Sequence, residues 1–368
     1  MIIRSTLGAL ATIIGFSAGL SSVAHADDNQ ERLFTATIEH FVNDFAIPTY
    51  FDFMTSTIKL DQAVDNLCEK PTAATLTSAK AAFRSTVLSW SAAEVIRFGP
   101  IRQENRLERV FYWPDTRSRG LKKVQSILAG GSILKDTKLE SKSVAIQGLP
   151  ALEYLLFGAN SEGLTDAGSS AARCNFSKAI TSNLMGISQS LYTEWESPNG
   201  YQVTLTSPKT TNGVFRSNGE VIQEILKSAA ELIELVSKAK LQSPLGKSME
   251  EVKPKRAAFW RSELTLENIQ TNVASVVNLQ NLAEFAEMLP ASERGYSTNL
   301  IFDAKQINAA LSKLIQSKVS WNSITIDAKM RELLLYIVSP LQGIKDILSI
   351  YYPEILGLQL GFNSLDGD

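Results

Sequence analysis

Histidine is nearly missing from this chain: the 368 residues contain two, His25 and His40. One of them is expected to be lost. Arg4 precedes an apolar, Gly- and Ala-rich run from Leu7 to Leu20, and Val23, Ala24, His25 and Ala26 follow before Asp27 and Asp28. A basic start, an apolar middle and a small-residue end make a cleaved export signal, with Ala26 the last residue removed. A membrane anchor is the alternative, but Gly and Ser interrupt the run, which falls short of the roughly 20 apolar residues a span requires. Cleavage leaves His40 alone, and that excludes a His-based triad or a multi-His zinc site within one chain. No cysteine lies near the cleavage point to carry a lipid, so the expected location is the periplasm.

Charge of one sign is also lacking. Lys and Arg number 36 against 38 Asp and Glu, and both signs are scattered, so nothing points to nucleic acid or an anionic membrane surface as partner. Cysteine occurs twice, at Cys68 and Cys174. An even count in an exported chain favours a disulfide, closing a loop of order 100 residues; a pair of buried thiols is the other reading. A catalytic cysteine would have only His40 as its base.

Apolar residues at helical spacing fill the rest. Val221, Ile222, Ile225, Leu226, Ala229, Leu232, Ile233 and Val236 form one such stripe. Strand-like alternation is rare. Helices are expected at 31–66, 72–97, 117–128, 150–157, 167–196, 219–240, 255–289, 303–317 and 327–350. Thr72 is placed to cap the second, Gly99 and Pro100 to end it, and Pro48 to kink the first. Residues 198–216 are rich in turn formers and read as a linker or a short hairpin, because Tyr201 to Leu205 alternates. The fold class expected is all-α, with a helical bundle at 27–197 and another at 217–368.

Several motifs stand out. Trp90, Glu94 and Arg97 fall three and four apart before Phe98, Gly99 and Pro100, so they share a helix face; a solvated ion pair beside a core tryptophan is the plain reading. Phe111, Tyr112, Trp113, Pro114 and Asp115 form an aromatic cluster. Gln147 to Gly158 reads QGLPALEYLLFG. Arg261 and Ser262 precede a long helical pattern containing Asn268, Asn272 and Asn278. The chain ends on Leu358 to Asp368, where Asp366, Gly367 and Asp368 are too few ligands to argue a calcium loop. HExxH, HxxEH and GxSxG are absent.

In order and spacing these motifs resemble the imelysin-like family over nearly the whole mature chain. The resemblance implies an exported protein of two four-helix-bundle-like domains, an internal duplication, a site near the interface of the domains, a link to bacterial iron uptake and a peptidase label. The family motif Gly-x-His-x-x-Glu falls on Gly148 and Glu153, with Pro150 at the histidine position. Proline cannot bind a metal, and one carboxylate is too little for tight transition-metal binding. Glu153 would otherwise sit near a helix N-terminus, favoured by the dipole.

The resulting expectation is a periplasmic protein that binds an unidentified ligand between two helical domains in iron uptake and is not a hydrolase. Trp90, Glu94, Arg97, Trp113, Asp115, Gly148, Pro150, Glu153, Arg261 and Ser262 are the candidate ligand-binding residues. Iron or another divalent metal would fall to Glu94 and Glu153, with Asp115 completing an oxygen-rich site. Arg261 would suit an anionic ligand or an inward carboxylate, by its two-pronged hydrogen bonding, or is a surface cation. His40 reads as a surface or satisfied core residue. The rival functions are a metallopeptidase with a rearranged metal site and an adaptor for a membrane iron transporter or receptor.

Overall fold

The computed structural model describes residues 18–130, 139–168, 170–211 and 213–358. Most of the expected export signal and all of the closing motif beyond Leu358 lie outside the described residues. No strand occurs among the described residues, and the chain is all-α. Ten helices carry the architecture: α1 (Ala18–His40), α2 (Ile47–Glu69), α3 (Ala73–Ala93), α4 (Arg119–Ala129), α5 (Leu149–Phe157), α6 (Ala171–Glu196), α7 (Asn218–Glu234), α8 (Thr265–Leu282), α9 (Gly295–Gln316) and α10 (Val338–Asp346).

In the first half, α2 lies between α3 and α6. Its stripe of Tyr50, Phe53, Leu60, Val64 and Leu67 is buried, as is the Phe176, Ile180, Leu184, Leu191 and Trp195 stripe of α6. Small hydroxyls let the helices approach. Thr57 and Ser188 share a 2.6 Å hydrogen bond between α2 and α6, and Ser56 and Ser89 another of 2.6 Å between α2 and α3. Cys68 and Cys174 are joined in a disulfide that ties the end of α2 to the start of α6.

In the second half α9 packs on α8 and α10, and α10 on α7. The helical run Ala328–Ile355, which includes α10, is long and apolar enough to cross a membrane by length and composition alone. Its residues Leu334, Ile337, Leu341 and Ile344 are buried against the rest of the protein. Helix α8 also packs on α3, and the buried apolar residues of both halves form one continuous cluster.

Local signals account for several boundaries. The Thr72 hydroxyl accepts from the Thr75 N–H, and Thr75 answers through the Thr72 N–H, a reciprocal cap that starts α3. Gly99 takes φ +71°, a left-handed conformation that suits glycine, but α3 has already ended at Ala93, short of the expected 97, and Gly99 opens a separate 3₁₀ turn, Gly99–Asn105. Pro48 leaves a ladder acceptor without its N–H, and the helix widens into a π turn at Phe41–Ala46 between α1 and α2 instead of breaking.

Two further expectations fail. Tyr201 to Leu205 does not form a hairpin arm; Gln202–Thr206 is a short helix, with Leu205 buried on its inner face. The helix expected over 255–289 is interrupted. A 3₁₀ turn at Pro254–Arg256 leads into an irregular turn, and α8 begins only at Thr265. Phe259 and Glu263 in that turn have φ of 56° and 57°, a conformation that costs a bulky residue energy and persists only where the surroundings impose it.

Candidate functional site

Glu153 is one of the groups that hold that turn, with the Trp321 N–H on Glu263 Oε2 at 2.7 Å another. Glu153 lies on α5, buried at 2 % exposure. Its Oε1 accepts hydrogen bonds from the Arg261 N–H (3.1 Å), the Ser262 N–H (3.0 Å) and the Ser262 hydroxyl (2.8 Å). The Arg261 guanidinium stands 3.8 Å from Oε2. Burial pushes the Glu153 carboxyl above its usual range, against the opposing pull of Ser262 and Arg261. Burial lowers Arg261, with Glu153 opposing. The turn is closed by the Leu264 N–H on the Phe259 carbonyl (3.0 Å) and the Thr265 hydroxyl on the Ala258 carbonyl (2.8 Å). Phe259 stacks on Phe111 at 5.1 Å.

Helix α5 reaches this position through Gly148 at its N-terminus. A Cβ on Gly148 would lie 2.3 Å from the Val110 carbonyl oxygen and 2.6 Å from that of Arg109. The glycine therefore serves close backbone approach. Pro150 occupies the first turn of α5, where its missing N–H is harmless.

Between the halves lies a cleft of ≈ 720 Å³, with Pro150, Glu153 and Tyr154 of α5 on its floor. That volume falls in the range of small-molecule sites. One wall is the aromatic segment Phe111, Tyr112 and Trp113; the other carries Lys238, Lys253, Lys255, Arg256, Trp260 and Arg261. The Trp113 indole N–H donates to the Arg256 carbonyl (3.2 Å) across the cleft. Arg261 lies over the Trp260 ring at 4.4 Å and the Tyr154 ring at 5.6 Å.

Asp115 also lines the cleft, but its carboxylate caps α4, accepting from the N–H groups of Arg119 (2.8 Å), Gly120 (2.9 Å) and Leu121 (3.2 Å). Glu94 is elsewhere. At the end of α3 it is 1 % exposed, and its Oε2 accepts from Lys240 Nζ at 2.6 Å and Asn272 Nδ2 at 3.0 Å. Lys240, fully buried, also donates to Asn272 Oδ1 (2.7 Å) and faces the Phe111 ring. Burial lowers the Lys240 ammonium, with the Glu94 charge holding it up.

The expectation of an oxygen-rich metal site from Glu94, Asp115 and Glu153 is therefore corrected. Each carboxylate is committed to its own protein donors, Pro150 adds no ligand, and among the described residues no three His, Cys, Asp or Glu side chains are placed to hold a metal. These residues do not fit a resident metal ion. The Glu94–Arg97 helix pair is not formed either. Arg97 instead faces Glu231, with Nε 3.9 Å from Oε2, and its N–H donates to the Ser228 hydroxyl. Trp90 is core, packed on Phe53 and Phe111. Ser262 supports the floor from behind and does not line the cleft. His40 is on the surface, bonded to Asp44 at 2.6 Å and 3.6 Å from Glu284.

Sequence reasoning gave no site role to Lys240 or Lys253, and placed Asn272, Lys255, Arg256 and Trp260 in or before a helical pattern without assigning them a contact. Lys240 left a signal, since it falls four residues after Val236, on the apolar stripe of its helix. A charge at a core position demands a buried partner.

Comparison with known proteins follows the same lines. The model of the imelysin family, a peptidase family by designation, matches residues 46–344. Iron-regulated protein A of Synechococcus elongatus is 26% identical over 273 residues, which cover 73% of this chain and 70% of that protein. An imelysin-like protein from Psychrobacter arcticum superposes with a TM-score of 0.71 at 18% identity, over 90% of this chain and 98% of its own. A Parabacteroides distasonis protein described as an iron-regulated protein A precursor gives 0.72 at 17% identity, over 88% and 95%. The two structures share the fold.

Proposed function

This chain belongs to the imelysin family, and from that premise we propose that it is a periplasmic protein of iron uptake that holds a ligand in the cleft between its helical bundles and does not hydrolyse peptides. The observation that carries the reading is the cleft itself. Its volume, its aromatic walls and its rigid floor suit a small molecule, and Glu153, the one motif carboxylate on that floor, is spent on holding the Phe259 to Glu263 turn.

A peptidase needs an activated water or nucleophile and a base within reach of it. Glu153 Oε1 and the Asp115 carboxylate hold backbone turns, Glu153 Oε2 faces the Arg261 guanidinium at 3.8 Å, and His40, the one histidine left after cleavage at Ala26, is engaged with Asp44 outside the cleft, so no base stands beside a second group that could activate water. Iron enters through the relatives: one is named iron-regulated protein A, and another is described as a precursor of such a protein, which supports export.

The test uses residues 27–368 in parallel assays. A binder gains thermal stability as ligand concentration rises, with the logarithm of that concentration once the site is filled, and leaves denatured casein intact with or without chelator. Chelator-sensitive cleavage of casein, abolished by Glu153→Ala, would overturn the reading in favour of a peptidase. Recovery with a membrane iron-uptake protein, with no small molecule raising the melting temperature, would overturn it in favour of an adaptor.

A further inference from the structure

Charge around the cleft is lopsided. Five cationic side chains line it, Lys238, Lys253, Lys255, Arg256 and Arg261, against the two carboxylates of Asp115 and Glu153. Both carboxylates are already engaged, Asp115 by backbone N–H groups at the start of α4 and Glu153 by Ser262 and the Arg261 cation. Among the described residues no ion pair engages Lys238, Lys253, Lys255 or Arg256. The chain as a whole carries a net charge of −2, so a local excess of cations in a concave site is not a reflection of composition. Such a site focuses a positive field on whatever enters.

The cationic lip is also held in place. The Lys253 N–H donates to the Pro244 carbonyl at 2.7 Å, the Trp321 indole to the Pro254 carbonyl at 3.0 Å, and the Trp113 indole to the Arg256 carbonyl at 3.2 Å. Three anchors fix the backbone of an exposed basic turn, and of its side chains Lys255 lies over the Trp260 ring at 5.6 Å. That organisation lowers the ordering cost of binding.

We propose that the ligand is a small polyanion bearing two or more carboxylate or phosphate groups, its charges taken by the 253–256 turn and Lys238. The inference rests on the cleft being the binding site. It also resolves how an iron-related protein can lack metal donors of its own: the metal, where one is carried, arrives already coordinated by the anion.

The experiment is isothermal titration of residues 27–368 with citrate, the ferric citrate complex, pyrophosphate and sucrose as a neutral control, at low and at physiological salt. The triple variant Lys253→Gln, Lys255→Gln, Arg256→Gln and the remote variant Lys305→Gln are run alongside, with Trp emission recorded. At least one polyanion is expected to bind about tenfold or more tighter than sucrose, to weaken with salt, and to lose about tenfold in the triple variant alone. Preference for ferric citrate over citrate assigns the metal-loaded form, and preference for pyrophosphate assigns phosphate. Polyanions binding no better than sucrose, or unaltered by the triple variant, overturn the proposal. If a neutral aromatic compound quenches Trp emission where polyanions fail, the cleft reading survives and the polyanion falls; if neither perturbs the protein, both fall.

Discussion

Lys240 Nζ lies 2.6 Å from Glu94 Oε2 with neither side chain more than 1 % exposed. The pair joins the end of α3 to the second half, and Asn272 of α8 completes it by bonding both partners and the Ser91 carbonyl. A nearby second link, Asn268 Nδ2 to the Ser91 hydroxyl at 2.7 Å, runs the same way. Two charges taken out of water are tolerated only because each satisfies the other, so the pair adds little net stability over apolar side chains of similar volume.

Removing one partner should therefore cost more than removing both. Lys240→Met or Glu94→Leu alone is expected to destabilise by about 3–5 kcal/mol, because an uncompensated charge stays buried. The double variant should recover most of that loss. Urea unfolding of the four proteins closes the cycle, and single-variant costs below about 1 kcal/mol would show that the pair is not isolated from water.

The disulfide is expected to act on the unfolded chain. Cys68 and Cys174 are 106 residues apart, and a loop of that size is worth at most about 4.7 kcal/mol in the chain-entropy model, with native strain subtracting from it. Replacing both cysteines by alanine should lower the unfolding free energy by about 2–4 kcal/mol. An unchanged urea midpoint would mean that the denatured state is already compact around this α2–α6 contact.

Much of the scaffold was legible because its causes are local. Thr72 caps a helix through its own next turn, and the stripes of α2 and α7 repeat at helical spacing. The site was legible only in part. Glu153 and the Arg261–Ser262 pair stood out as motif residues, but their contact is made between positions 108 residues or more apart, which no local pattern encodes. The turn between them was hidden for a related reason. Phe259 and Glu263 carry no glycine or asparagine signal for positive φ, and the apolar period runs on through Trp260, Leu264 and Leu266, so a continuous helix was the natural reading. Glu94 misled in the opposite sense: its helix neighbours suggested Arg97, and tertiary packing supplied Lys240.

Gly148 offers a direct test of how α5 is seated. With the Val110 carbonyl oxygen 2.3 Å from where a Cβ would stand, and backbone unable to swing aside like a flexible side chain, Gly148→Ala should destabilise by at least about 2 kcal/mol. It should also displace Glu153 and so loosen the Phe259 to Glu263 turn. Limited proteolysis near Arg256 and Arg261 reports that loosening, and a variant as stable and as resistant as the parent would contradict the close approach.

Glu153 itself predicts a pH signature. Burial holds its folded carboxyl above the ordinary value of 4.5, with the Ser262 and Arg261 donors opposing. The folded state thus binds more protons than the unfolded state between the two values, and stability contributed through this group falls as pH rises across that window. Glu153→Gln keeps an acceptor for the Arg261 and Ser262 donors and does not titrate. The advantage of the parent over Glu153→Gln should therefore shrink from pH 4.5 toward neutrality, and Glu153→Ala, which strands those donors, should lie about 2–4 kcal/mol below Glu153→Gln at every pH. Urea unfolding at a series of pH values checks both, and a parent-to-Gln difference that widened with rising pH would mean that the donors, not burial, control the carboxyl.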